Sequence, residues 1–165
     1  MAHHLARKVQ HVRKELRRAI EGMSVADMER SVAGVNSIRW IIGHLAWQEQ
    51  RYWVGGRGLP LIVEHLADYG YGKPVPENGE DFETVFSQWE AVTRASDDWL
   101  ESLGEQDLRE FPATGEIHKG ENIGTMLMRV IGHYYVHIGQ ITAIRKILSY
   151  NVPPFVGRQD GAFFE

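Results

Sequence analysis

Apolar residues recur with helical period in four segments of this chain. In the first, about residues 2–20, Leu5, Val9, Val12, Leu16 and Ile20 share one face at about 100° per residue. Arg7, Lys14 and Arg18 lie opposite, and Gly22 marks a C-terminal cap. Ser24-Val-Ala-Asp27 then resembles a capping box, with Asp where Glu is usual. The second helix is predicted from an Asn36 or Ser37 cap to about Val54, ending at Gly55-Gly56. It carries Ile38, Ile41, Ile42, Leu45, Tyr52 and Trp53 on a broad face. Asp81 announces the third, whose stripe of Phe82, Val85, Phe86, Trp89, Val92, Leu100 and Leu103 reaches Gly104.

The fourth segment spans about Asn122 to Tyr150, and Asn151-Val152-Pro153-Pro154 is the expected stop. It is apolar nearly all round. Met126, Val130, Ile141, Ile144 and Leu148 lie on one side, and Ile131, Tyr135 and Ile138 on the other. A helix apolar on two faces is either central in its fold or covered on one side by a second copy. Residues 55–79 form one long connection, and residues 105–121 have room for a short hairpin around Ala113-Thr114-Gly115-Glu116. Four long helices with long crossovers predict an all-α four-helix bundle, a single domain over residues 1–165.

Composition narrows the chemistry. The chain has 165 residues, enough for one core without disulfide or metal staples. It holds no cysteine, which excludes a disulfide framework, a thiolate nucleophile, an iron–sulfur cluster and cysteine-ligated zinc. Any metal must therefore be held by nitrogen and oxygen. The net charge of −4 argues against a nucleic-acid partner, and no apolar run suits a membrane span. The charged start, MAHHLARKVQHVRKEL, lacks the apolar region of a signal peptide, so a cytoplasmic location is expected.

Eight histidines remain to be placed. His3, His4, His11, His65 and His118 fall in loops or outside strong patterns. His133 and His137, at i and i+4, project from one face of the fourth helix, a spacing that can hold one metal ion. Spacing alone is weak evidence. Tyr134, Tyr135 and Val136 lie between them, so the glutamate base of a zinc peptidase is missing. Both share a side with Val130, Ile141 and Ile144, Gln140 follows one turn later, and polar groups on an apolar face need partners. His44, in the middle of the second helix with Gln48 and Arg51 on its face, is the third candidate. A histidine of this kind is more often an ordinary hydrogen-bonded core residue. Should the three converge, they would form a neutral three-nitrogen set with coordination positions left open, the stoichiometry of a catalytic site.

Asn36-Ser37-Ile38-Arg39-Trp40-Ile41-Ile42-Gly43-His44-Leu45, with His133-Tyr-Tyr-Val-His137-Ile-Gly-Gln140 far downstream, resembles the DinB/YfiT-like superfamily across essentially the whole chain. The resemblance implies a four-helix bundle in which His44, His133 and His137 hold zinc, nickel or a similar divalent ion. It also implies a homodimer, and a small-molecule substrate. Relatives include thiol-dependent transferases and isomerases and metal-dependent hydrolases, so the reaction is not fixed. A thiol, if used, must arrive as a cosubstrate, because the chain has none of its own.

Other features carry less. Arg7, Lys8, Arg13, Lys14, Arg17 and Arg18 read as a solvated helix face. Trp40, Trp47, Trp53, Tyr52 and Tyr134 read mainly as core, with Trp47 the best exception. Gln48, Arg51 and Gln140 are candidates for orienting ligands or substrate, and Arg51 could instead pair with Glu49 or Glu90. The aromatic tail from Pro153 to Glu165 is expected to pack over the bundle or reach a partner subunit. No residue offers itself as a general base. Two readings stand: a metal-dependent enzyme, or a helical module that binds metal or a small ligand without turnover.

Overall fold

A computed structural model describes residues 3–77, 79–114 and 120–154. Among the described residues the chain is all-helical, with only an isolated bridge between Val32 and Val35. The long helices are α1 (His4–Ile20), α3 (Ile38–Glu49), α4 (Phe82–Ser102) and α5 (Ile123–Ile147), joined by a short α2 (Val25–Glu29). No helix among the described residues is long and apolar enough to cross a membrane.

Local chemistry starts these helices where expected. Of the two candidate caps on α3 it is Ser37 that acts, its Oγ accepting the Trp40 N–H at 3.2 Å. Asp81 takes the Thr84 N–H at 2.8 Å, and Asn122 takes that of Thr125 at 2.9 Å. Each such cap stabilises its helix by about 1 kcal/mol. Ser24 accepts the Asp27 N–H at 3.2 Å and donates its own hydroxyl to Asp27 Oδ2 at 2.8 Å. The shorter Asp thus closes on the capping hydroxyl, where a Glu would reach back to the backbone.

Two helix ends differ from expectation. The α-helical part of α3 stops at Glu49, and Gln50–Val54 form a wider π turn before a 3-10 turn at Gly55–Arg57. Gln50, buried there, takes the N–H groups of Ile62 and Val63 at 2.8 Å and donates to the Val63 carbonyl at 2.7 Å. A side chain on this turn thereby supplies the partners that loop 59–63 lacks. Helix α5 ends at Ile147, well before the prolines. Ser149 turns left-handed at φ 62°, while Tyr150 N–H bonds Arg145 O (2.9 Å) and Ser149 N–H bonds Lys146 O (3.2 Å). This Schellman arrangement satisfies the last carbonyls without help from Pro153.

The chain divides into two compact units, one formed by the stretch up to Glu21 together with that from Asp97 onward, the other by Gly22–Ser96. In the first, α1 packs on α5. Val9, Val12 and Leu16 are fully buried, as are Leu127, Val130, Tyr134, Ile141 and Ile144. Each large apolar side chain so removed from water contributes about 1.5–3 kcal/mol. The basic face expected of α1 is solvated only in part: Lys14 and Arg17 are exposed and Arg7, Lys8 and Arg18 half-buried. Arg13 is buried and pairs with Asp97 at 2.7 Å, and Arg18 binds Glu15 at 2.6 Å and the Pro154 carbonyl at 2.7 Å. On the second side predicted for α5, Ile138 is buried and Ile131 and Tyr135 half-buried, while Met128, Val136 and Ile147 elsewhere on the helix are exposed.

In the second unit, α3 buries Ile38, Ile41, Ile42 and Leu45, and the 3-10 turn Glu64–Tyr69 packs against it. Trp53 and Trp89 are wholly buried, the packing role read for Trp53. The segment expected as a hairpin falls largely on 115–119, with His118, outside the described residues; so does the tail from 155 onward.

One buried cation secures the first unit. Arg145 donates to the carbonyls of Ala19 (3.0 Å), Glu21 (2.8 Å) and Asn151 (2.7 Å), tying the end of α1 to the chain after α5. Arg145→Ala should cost about 2–4 kcal/mol, since it removes charge-assisted bonds and takes a donor from the buried Ala19 carbonyl. Arg145→Lys should recover little of this, because an ammonium cannot reproduce the guanidinium fork. Urea unfolding of the three proteins measures both effects.

Candidate metal centre

His44 sits at the middle of α3, only 4% exposed. Its ring lies stacked with Trp40, centroids 4.7 Å apart at 11°, and with Trp47 at 5.4 Å and 28°. Nδ1 is 2.7 Å from the carbonyl oxygen of Tyr69. A carbonyl only accepts, so Nδ1 carries the proton and Nε2 the lone pair. Burial lowers the pKa of this imidazole, an effect the Tyr69 bond partly opposes. His44 is thus a neutral ring with its ligating nitrogen selected.

On α5, His137 is buried and His133 half-buried. His137 Nδ1 donates to Gln140 Oε1 at 2.7 Å, which leaves its Nε2 as the lone-pair nitrogen. That nitrogen lies 2.9 Å from His133 Nε2, with the rings nearly perpendicular at 79°. With His137 Nε2 as acceptor, a neutral His133 donates its own Nε2 proton across that distance, and a bound cation would take that proton's place. In a tetrahedral site with bonds of about 2.0–2.1 Å, ligand nitrogens stand about 3.3 Å apart, so the pair fits one ion with little adjustment. One nitrogen each from His44, His133 and His137 lies within 4.8 Å of the others, close enough for the three to hold a metal ion.

Gln140 thus meets a ring nitrogen of His137. Trp47 is half-buried and Gln48 buried on α3. Arg51 does not pair with Glu49 or Glu90; its guanidinium lies over the Trp47 ring, 5.5 Å from the centroid. Trp40, Tyr52 and Tyr134 are buried, as packing residues would be. Of the remaining histidines, His3 caps α1 through Leu5 N–H at 3.3 Å and reaches Glu105 at 3.2 Å. His11 is buried, its Nε2 without a hydrogen-bond partner among the described residues. Sequence reasoning missed the Tyr69 carbonyl, because every residue has a carbonyl. The one available signal was Gly43, a glycine inside a strongly apolar helix.

A family model described as the DinB superfamily matches residues 8–141. No curated relative and no solved structure matches the chain.

Burial also makes the metal-free protein sensitive to acid. It lowers the pKa of His44 and, foremost among several causes, that of His11, both from an ordinary value of 6.5. The unfolded chain then binds protons near pH 6.5 that the folded chain refuses, so stability rises with pH through this window and is lost as pH falls below it. Urea titrations of metal-free protein between about pH 7.5 and 5 should show this slope, and His11→Gln should flatten part of it. A slope unchanged in that variant would mean that His11 is not held neutral.

Proposed function

Since the chain belongs to the DinB superfamily, we propose that it is a divalent-metal protein whose zinc, nickel or similar ion is held by His44, His133 and His137. In this reading it is a metal-dependent enzyme of transferase or hydrolase type, acting on a small molecule in the cytoplasm, with no nucleic-acid or membrane partner. The observation that carries it is the convergence of three histidine nitrogens within 4.8 Å. A divalent ion bound there would lower the pKa of a coordinated water or external low-molecular-weight thiol and so supply a nucleophile at neutral pH.

The chain's own residues do the rest. The Tyr69 carbonyl and Gln140 Oε1 each hold an Nδ1 proton, so that Nε2 of His44 and of His137 faces the site. Trp40 and Trp47 restrict the His44 ring by stacking. Arg51, held over Trp47, offers a cation to orient an anionic substrate group. The alternative, metal binding without turnover, is favoured by one feature: among the described residues the metal-ligand group consists of histidines alone. Exposed Met128, Val136 and Ile147 on α5 support a homodimer.

Elemental analysis of protein purified with zinc or nickel should find one ion per chain, lost in the His133→Ala/His137→Ala variant. Gln140→Leu should keep the stoichiometry but bind about 10–100-fold more weakly. Stoichiometric metal in the double variant would falsify the ligand assignment. A substrate panel run with and without small thiols separates enzyme from binding module, since a module would show no metal-dependent turnover. Light scattering should give twice the chain mass, reduced towards one chain by Val136→Glu.

A further inference from the structure

We propose that the crossover between α3 and α4 is a positioning device for His44, in which Gly43 and Arg39 on α3 seat Tyr69 so that its carbonyl fixes the histidine tautomer.

Arg39 and Gly43 are one turn apart on the same face of α3. Buried Arg39 donates to two carbonyls of the crossover, Glu80 at 2.7 Å and Pro76 at 3.3 Å. It also lies so close to Gly79 that a Cβ there would stand 2.6 Å from Arg39 Nη1. One turn on, a Cβ at Gly43 would stand 2.5 Å from Cγ and Cδ1 of Tyr69. The Tyr69 ring is therefore pressed onto bare helix backbone, and the residue is 4% exposed.

Ring and carbonyl belong to the same residue. A ring forced off α3 takes with it the oxygen that His44 Nδ1 bonds at 2.7 Å. Leu66, buried in the same 3-10 turn, and the Gly70 N–H bond to Ala67 O at 3.1 Å hold the turn itself in shape. Glycine is less favourable than alanine in a helix interior, yet alanine at position 43 would clash with the ring. The three contacts from Arg39, Gly43 and His44 make the crossover a clamp whose output is the direction of one Nε2 lone pair. Arg39, Gly43 and Tyr69 are thus positioning residues, acting on the site through His44.

The proposal rests on the metal reading only for its affinity arm, so the tautomer is measured first, on metal-free protein. Long-range proton–nitrogen NMR near pH 8 should show the His44 proton on Nδ1 in the wild type. A proton on Nε2, or an even mixture, overturns the proposal whether or not any metal binds. Gly43→Ala should scramble that signature and weaken zinc binding, measured by competition with a chelator, about 10–100-fold. Gly43→Ala/Tyr69→Ala, where the methyl takes space the ring has left, should regain several-fold in affinity over Gly43→Ala alone. Gly79→Ala, which presses on Arg39 from the far side, should shift the His44 signature in the same direction as Gly43→Ala. Wild-type tautomer and affinity in folded Gly43→Ala would sink the clamp, while wild-type protein that binds no zinc would sink the metal reading and leave the tautomer result to decide this one.

Discussion

A buried imidazole has two nitrogens, and in the absence of water each must find a partner. This constraint organises the structure around the histidines. On α3 the partner of Nδ1 is a backbone carbonyl, that of Tyr69, brought in by a crossover some two dozen residues downstream. On α5 it is the Gln140 amide, one turn along the same helix. The two solutions make different demands. The α5 solution is local and needs only helical spacing. The α3 solution needs a glycine, a shaped 3-10 turn and an arginine spanning two carbonyls, so a large part of the second unit is committed to one hydrogen bond.

What the sequence discloses follows the same division. Helix starts were legible because a cap is a contact within four residues: Ser37, Asp81 and Asn122 each meet an N–H three positions on. The histidine pair and Gln140 were legible because helical spacing alone sets their relation. Arg13 and Arg145 were not, since only the packed structure supplies Asp97 or the carbonyls of Ala19 and Glu21. The end of α5 was misplaced for a related reason. Pro153 and Pro154 carry a strong local signal, whereas the left-handed turn at Ser149 uses a residue with no special preference for it.

The choice of donors has an energetic logic. A carboxylate at the position of His44 would be a charge taken out of water, costing several kcal/mol until a counter-ion arrived. A cysteine would face a similar difficulty, because its ligating form is the anion. Imidazole ligates as a neutral group, and burial, which penalises charged ligands, acts here in its favour by pushing its proton affinity down. Neutral donors of this kind can therefore be buried without the charge penalty that a carboxylate or thiolate would carry. They also leave the charge of whatever cation they receive undiminished, and it is that charge which acidifies a bound water or thiol. Neutral imidazole donors are in this sense suited both to burial and to reactivity once a cation is bound.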